Sequence, residues 1–327
     1  MTLTSAADLP ILAVVGATAS GKSALAMAVA ELMGTRGGAE IINADSMQFY
    51  RGMDIGTAKV SLDDRARVAH HQLDTLDVHQ DASVARYQED GRADIAAIRA
   101  RGALPIVVGG SGLYLRGLLD RFEFPGTDPA LRAALEERIE REGPGMMYAE
   151  LADRDPQAAA KIHPRNAKRI VRALEILELA GEYTSSLPRH EFFQPTVMVA
   201  LHLPFELLDR RIEQRVDAMF AAGLVDEVRA LVDRGIRDAV TARRAVGYAE
   251  VLAMLDGELT EDQARDLICR NTRRLARRQE RWLRPDPRVV WVDAPVDDAG
   301  VGQVARSVCA LVERGPTDAG APERAVG

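Results

Sequence analysis

The loop GATASGKS, residues 16–23, matches the pattern G-x-x-x-x-G-K-[ST] of phosphate-binding loops. An apolar run, residues 11–15, precedes it and helix-forming residues follow from Ala24, so the motif has the strand–loop–helix context that it requires. Backbone N–H groups of such a loop converge on one anion, and the positive end of the following helix assists them. The motif therefore predicts a diphosphate or triphosphate site formed by Gly16, Ala17, Thr18, Ala19, Ser20, Gly21, Lys22 and Ser23.

Two side chains of this loop have predicted roles of their own. Lys22 supplies a mobile cation, and the Ser23 hydroxyl is placed to bind a metal ion. We therefore expect Mg²⁺ as the cofactor, with Ser23 as its protein ligand.

Length and composition restrict the class of protein. A chain of 327 residues with 47% hydrophobic residues can form one large or two modest domains with buried cores. It has no run near the roughly 20 apolar residues of a membrane span and no signal-peptide pattern, so we expect a cytoplasmic protein with no membrane partner. We also expect a monomer. Cys269 and Cys309 are too few for a disulfide scaffold or a zinc ribbon, so we expect reduced thiols and no structural metal.

The order of apolar runs and helical patterns predicts an α/β fold with a parallel sheet and helices on both faces. The expected strands are residues 11–15, 40–43, 105–108, 197–203 and 289–292. The expected fold class is a P-loop NTPase-like core with an inserted all-helical domain. Ligands of such sheets bind beyond the carboxyl ends of the strands.

The insertion is predicted from the roughly ninety residues between the third and fourth strands, far more than a crossover needs. They carry their own helix-start signals at Asp128, Asp155 and Asn166. We expect a first core segment at 1–121, a helical insert at 122–195, a largely helical second core segment at 196–314 and a disordered tail at 315–327. The insert has a basic cluster without acids, which is typical of an RNA-binding surface: Lys161, His163, Arg165, Lys168, Arg169 and Arg172.

A long helix is predicted from the capping box of Thr260 and Gln263 to about Leu283. Although the formal net charge is -7, nine arginines and only three acids lie between Arg265 and Arg288. At about 100° per residue, one face of this helix presents a row of guanidinium groups. A row of one sign is self-repelling, which favours a polyphosphate partner over a solvated surface. The row consists of Arg270, Arg274, Arg277, Arg281 and Arg284.

Asp45 is the candidate for proton transfer. Many phosphate-loop enzymes have an Asp at the end of a neighbouring strand, but the 105–108 strand ends in Gly-Gly-Ser-Gly. Asp45 follows the second strand instead, and a single carboxylate opposite bound phosphates suits a general base that acts on an acceptor. The alternative, that Asp45 only caps the next helix or turn, stays open.

These motifs, with residues 43–59 (NADSMQFYRGMDIGTAK) and 107–114 (VVGGSGLY), closely resemble those of the tRNA dimethylallyltransferases. Later blocks extend the resemblance over about residues 10–293: His163-Pro164, Arg169 to Glu175, Val246-Gly247-Tyr248, Thr272-Arg273, Arg278-Gln279 and Trp282.

The resemblance implies transfer of a dimethylallyl group from dimethylallyl diphosphate to the exocyclic amine of the adenosine 3′ of the anticodon in tRNA. It implies that Asp45 is the general base and that residues 18–23 bind the diphosphate. Arg244 aligns with a position where some members have a catalytic Arg and others Gln. The resemblance and the arginine row together give the expected tRNA contacts as Asp45, Ser46, Met47, Gln48, Ser111, Lys168, Arg169, Ile170, Val171, Arg172, Arg270, Arg274, Arg277 and Arg281.

Three alternatives remain at this point. A small-molecule kinase or a free-adenylate isopentenyltransferase would use the same loop, although neither needs the basic insert and the arginine row. A nucleotide-dependent RNA-binding switch is the non-enzymatic alternative, and it leaves Asp45 without a role.

Overall fold

The computed structural model describes residues 6–34, 37–122, 124, 126–181 and 190–315. Described residues up to Asp120 and from His190 form one compact unit, and those from Arg121 to Gly181 form a second. The expected disordered tail lies, from residue 316 onward, outside the described residues. Within the described part of the chain, no helix is both long and apolar enough to cross a membrane.

The first unit is built on a parallel sheet with the strand order β3-β2-β4-β1-β5-β6. Its strands are β1 (Ile11–Gly16), β2 (Ala39–Asn43), β3 (His70–His71), β4 (Leu104–Gly109), β5 (Thr196–His202) and β6 (Val289–Asp293). The five predicted strands are present within one or two residues at each end. The short edge strand β3 was not predicted, because two residues carry no readable hydrophobic period.

Helices cover both faces of this sheet, as predicted. The helices of this unit are α1 (Lys22–Met33), α2 (Leu62–Arg67), α3 (Val84–Ala100), α4 (Gly112–Leu119), α9 (Phe205–Ala221), α10 (Leu224–Asp233), α11 (Tyr248–Leu255), α12 (Glu261–Leu283) and α13 (Asp298–Arg314). Successive β1 side chains point to opposite faces. Leu12 and Val14 pack with α1 and α13, whereas Ala13 and Val15 pack with α3 and α4. All six residues of β1 are buried, so the loop that follows begins from a fixed point.

The second unit contains α5 (Pro129–Glu142), α6 (Pro144–Arg154), α7 (Pro156–Ala159) and α8 (Ala167–Ala180). The start signals act as predicted, because the side chains of Asp128, Asp155 and Asn166 each accept backbone N–H groups of the helix that follows. Glu175 is fully buried and accepts hydrogen bonds from the Asp128 N–H and the Arg132 guanidinium. It therefore ties α8 to the start of α5.

The long basic helix α12 begins at its predicted capping box. Thr260 Oγ1 accepts the Gln263 N–H at 3.2 Å, and Gln263 Oε1 accepts the Thr260 N–H at 2.8 Å. Ala264, Ile268 and other residues of one face are buried against the core. The position of every arginine on this helix follows from that packing.

Candidate active site

The phosphate loop has the backbone that its motif requires. Gly16 and Gly21 have φ angles of 143° and 97°, which side chains with a Cβ rarely adopt. Ala19 also lies in the left-handed region at φ 63°, a conformation that costs about 1–2 kcal/mol for a residue with a Cβ. Gly21 is the N-cap of α1, so the loop leads directly into the positive end of that helix. The loop backbone is thus arranged to receive an anion.

Lys22 lies within this loop, and its Nζ donates a hydrogen bond of 2.6 Å to the Ala17 carbonyl. Burial lowers the pKa of the Lys22 ammonium from 10.5 to about 8; the Asp45 carboxylate opposes this shift, and the Arg215 guanidinium adds to it. Lys22 therefore loses its charge at a lower pH than an exposed lysine does. A bound diphosphate would favour the charged form.

Two serines of the loop remain available for ligands. The Ser20 Oγ is buried and has no hydrogen-bond partner among the described residues, whereas Ser23 is exposed at the start of α1. The described residues contain no group of three or more His, Cys, Asp or Glu side chains that could hold a metal ion. A divalent ion here would depend on the Ser23 hydroxyl, phosphate oxygens and water, and such oxygen ligands suit Mg²⁺.

Two residues that the sequence analysis did not select contact the loop from the helical half of the chain. Gln279 on α12 accepts the Thr18 N–H through Oε1 at 2.8 Å. Arg215 on α9 donates to Thr18 Oγ1 and to the Thr57 carbonyl, each at 3.2 Å. Burial lowers the pKa of the Arg215 guanidinium and the Asp45 carboxylate raises it, so Arg215 and Asp45 lie close enough to interact. Only the resemblance pointed to Gln279, as part of a motif, and no local signal marked Arg215.

Asp45 follows β2 and is held on several sides. Its Oδ1 accepts the Met47 N–H at 3.1 Å and so caps the 3₁₀ turn Ser46–Phe49. The Asn43 side chain accepts the Asp45 N–H and donates to the Asp45 carbonyl, each at 3.0 Å. Asp45 therefore does cap the turn that follows it, as the alternative stated. It does not exclude proton transfer, because the second carboxylate oxygen makes no hydrogen bond among the described residues.

Glycines at the end of β4 explain how Asp45 faces the phosphate loop across an intervening strand. A Cβ at Gly109 would lie 2.5 Å from the Ala44 carbonyl oxygen, and a Cβ at Gly110 would lie 2.9 Å from the Gly16 carbonyl oxygen and 2.4 Å from Gln279 Nε2. Strand β4 lies between β1 and β2 in the sheet. The Gly-Gly-Ser-Gly segment that replaced the expected acid therefore lets the segments that follow β1 and β2 approach each other.

The remaining predicted contacts near Asp45 have mixed environments. Ser46 and Met47 are half-buried, and the Gln48 amide donates to the Thr57 carbonyl at 3.1 Å. Ser111 is the N-cap of α4 but its side chain makes no capping hydrogen bond. Gly112, beside it, packs against the Trp282 ring of α12, where a Cβ would lie 2.4 Å from ring atoms.

Arg244 lies on the exposed 3₁₀ turn Ala242–Arg244, where its side chain makes no hydrogen bond or ion pair with any described residue. Arg215, by contrast, donates a hydrogen bond to the phosphate-loop residue Thr18 in this structure. A catalytic role for Arg244 stays a prediction.

In the second unit, the predicted RNA-binding segment has two kinds of position. Lys168 and Arg169 are exposed on the first turn of α8, but Ile170 and Val171 are buried in the helical core. Arg172 is half-buried and donates to the Glu175 carboxylate at 2.8 Å. Only Lys168 and Arg169 of this segment present free cationic groups at the surface.

The arginine row of α12 also divides into two groups. Arg277 donates to Asp209 at 2.8 Å and stacks over Phe205, and Arg284 pairs with Glu280. Four arginines of α12 are exposed and make no hydrogen bond or ion pair with the described residues: Arg270, Arg274, Arg278 and Arg281. We call these four residues the exposed arginine strip. Arg278 belongs to this strip although it was not predicted, whereas the predicted Arg277 does not belong to it.

A cavity of about 520 Å³ lies beside Arg215. Apolar groups of the 54–62 loop and of α9 line much of it, among them Ile55, Val60 and Met219, with Asp54 and Lys59 at charged positions. Lys59 is satisfied there by the Tyr50 carbonyl, Asp54 and Asp74. Arg215 thus lines the cavity and also contacts the phosphate loop.

Comparison with known proteins identifies the family of this chain. The family model described as IPP transferase matches residues 48–286. The chain belongs to this family. Both the resemblance recognised in the sequence motifs and the predicted fold class are confirmed.

Relatives match over nearly the whole length. The tRNA dimethylallyltransferase of Kineococcus radiotolerans is 53% identical over 308 residues, which cover 93% of this chain and 97% of that protein. The tRNA dimethylallyltransferase of Mycobacterium avium is 54% identical over 288 residues, covering 86% and 94%.

Solved structures are also similar. The full-length tRNA isopentenylpyrophosphate transferase from Bacillus halodurans superimposes with a TM-score of 0.68 at 38% identity, covering 94% of this chain and 98% of that one. A eukaryotic dimethylallyltransferase, described as acting on tRNA, gives a TM-score of 0.75 at 26% identity, covering 93% and 78%.

The close approach at Gly110 can be tested with Gly110→Ala. The added Cβ must displace Gln279 or the phosphate loop, and such overpacking costs about 1–3 kcal/mol. We expect inorganic pyrophosphate to bind at least about tenfold more weakly, measured by isothermal titration calorimetry. Gly34→Ala is the matched control, because Gly34 has ordinary helical backbone and its Cβ would meet nothing within 4 Å. Equal affinity in the two variants would contradict the importance of this contact.

Proposed function

We propose that this enzyme transfers the dimethylallyl group of dimethylallyl diphosphate to the exocyclic amine of the adenosine 3′ of the anticodon in tRNA and releases diphosphate. One observation carries the proposal: a lone carboxylate, Asp45, faces a phosphate loop and two cationic side chains, Lys22 and Arg215. The names of the relatives and their near-complete coverage support the same reaction.

The leaving diphosphate is the main target of stabilisation. An adenine amine is a poor nucleophile, so the barrier falls chiefly where negative charge develops on the departing diphosphate. Loop N–H groups, Lys22 and Arg215 direct positive charge at that position. Arg215 is the arginine proposed for this role because it contacts the phosphate loop, and a catalytic role for Arg244 stays a prediction.

The metal requirement fits the same loop. Ser23, together with the diphosphate of the donor, would hold Mg²⁺. When bound, the ion would supply further positive charge to the leaving group.

Asp45 accepts the proton that the amine loses as the new C–N bond forms. The Met47 N–H holds its Oδ1, and the Asn43 side chain holds its backbone N–H and carbonyl, so the carboxylate has a defined position. A general base must hold such a defined position to reach its proton. Water would compete for the allylic group, so a closed site protects the transfer.

The acceptor base must leave its stack to reach this position, and we propose that it is flipped out of the anticodon loop. The exposed arginine strip and, in the second unit, Lys168 and Arg169 are the proposed phosphate contacts. Arg277 and Arg172 already pair with Asp209 and Glu175, so they would contribute less to phosphate binding. Ile170 and Val171 would support binding only through packing of the helix.

The direct test is transfer of labelled dimethylallyl diphosphate to an anticodon stem-loop or to AMP, followed by location of the label. We expect label on the stem-loop adenine. In Asp45→Asn, turnover should fall by about 10²–10⁴-fold because the base is lost, while donor affinity stays nearly constant. Asp77→Asn, a surface substitution, is the control and should keep full turnover. Label on AMP alone, or phosphate instead of a five-carbon group on the product, would refute the proposal.

Donor affinity should depend on pH through Lys22. Only the charged ammonium attracts diphosphate, and its pKa is about 8 in the free protein. The dissociation constant of the donor should therefore be flat below pH 8 and rise above it, approaching tenfold per pH unit. Lys22→Arg, which stays charged over this range, should remove the rise. Fluorescence or calorimetric titration between pH 6.5 and about 9.5 measures both; a rise that persists in Lys22→Arg would assign it to another group.

Binding of tRNA should weaken steeply with salt because the exposed arginine strip displaces counterions. Replacing one strip residue, as in Arg274→Ala, should reduce the slope of log affinity against log salt by up to about 1. Arg265→Ala should change the slope less, since Arg265 already pairs with Glu261 and Asp217. Filter binding at several salt concentrations gives both slopes, and identical slopes would mean that the strip is only a solvated surface.

A further inference from the structure

The Glu227 carboxylate on α10 accepts hydrogen bonds from three consecutive backbone N–H groups. Its Oε2 accepts the N–H of Asp54 at 3.0 Å and of Ile55 at 2.7 Å. Its Oε1 accepts the N–H of Gly56 at 3.1 Å. Glu227 has no ion-pair partner among the described residues, so its charge is balanced by N–H and O–H dipoles alone. This arrangement fixes a loop that is 171 to 173 residues away in sequence.

Tyr248 completes the arrangement. Its hydroxyl donates to Glu227 Oε1 at 2.6 Å, and burial together with the Glu227 carboxylate raises the pKa of that hydroxyl, so it stays a donor. Gly56 packs directly against the Tyr248 ring, where a Cβ would lie 2.5 Å from ring atoms. Glu227 and Tyr248 thus hold the 54–56 backbone from two sides.

The next residue of the loop leads to the active site. The Thr57 carbonyl accepts the Arg215 guanidinium at 3.2 Å and the Gln48 amide at 3.1 Å. Arg215 in turn donates to the phosphate-loop Thr18 hydroxyl. A shift of residues 54–56 would therefore move the carbonyl that orients Arg215.

We propose that Glu227 is a positioning residue for the transfer reaction, acting through the 54–57 backbone to hold Arg215 against the phosphate loop. Glu227 does not touch the phosphate loop in this structure. The inference rests on the proposed function for its kinetic readout, and on donor binding for a readout that needs no transfer.

Glu227→Gln is the main variant. The amide nitrogen turns a donor toward backbone N–H groups or the Tyr248 hydroxyl, leaving at least one donor of this partly buried cluster unsatisfied, a loss worth about tenfold. We expect the donor dissociation constant to rise and kcat to fall by about tenfold each, with the KM for the stem-loop unchanged. Asp226→Asn makes the same chemical change one residue away, at an exposed acid whose only ion pair among the described residues is with Arg229, and should match the wild type.

A double-mutant cycle separates positioning from general structural support. In an Arg215→Ala background, Glu227→Gln should change kcat/KM by less than about twofold, because the residue it orients is gone. Full additivity, or an effect of Asp226→Asn equal to that of Glu227→Gln, would overturn the proposal. So would unchanged donor affinity in Glu227→Gln.

Tyr248→Phe keeps the test decisive if Glu227→Gln does not fold. It removes one donor and keeps the carboxylate, so donor affinity should fall by about threefold; unchanged affinity would contradict the proposal. If the wild type transfers no label to RNA but Glu227→Gln still weakens donor binding, the proposed function fails while the positioning role stands.

Discussion

The close approach of three strand ends, made possible by two glycines, is the constraint on which the site depends. Strand β4 separates the strand of the phosphate loop from the strand of Asp45. Side chains at Gly109 or Gly110 would collide with the Ala44 carbonyl or with Gln279 and the Gly16 carbonyl. Because the central strand ends without side chains, an anion-binding loop and a carboxylate can face each other over a short gap.

That gap is strongly electrostatic. Lys22 and Arg215 are both desolvated, and burial lowers the pKa of each, while Asp45 raises both. The carboxylate therefore has two effects: it is the proposed base, and it opposes the loss of the Lys22 proton that burial favours. The two cations suit a substrate that carries negative charge, and the carboxylate suits an acceptor that loses a proton.

Local patterns made much of this molecule predictable. The phosphate loop, five strands and the capping box of α12 each depend on residues close in sequence, and Asp45 was identifiable as a strand-end acid. Arg215, Gln279 and Glu227 were not, because the loop residues that they contact lie 158 to 261 residues away in sequence and no periodic pattern encodes such contacts. The division of the arginine row was equally hidden, since Arg277 is paired by Asp209 on α9. The burial of Ile170 and Val171, by contrast, follows from the amphipathic period of α8 and was available from the sequence.

The exposed arginine strip lies on a chain whose net charge is -7, so the remainder of the protein is more acidic than that figure. Four exposed guanidinium groups without acidic partners among the described residues are a local source of positive potential on an otherwise acidic chain. At long range this strip would attract a polyanion, whereas the acidic residues of the remainder would repel it. The acidic remainder would then favour encounters in which nucleic acid meets the exposed arginine strip, and it would disfavour binding of nucleic acid at other sites.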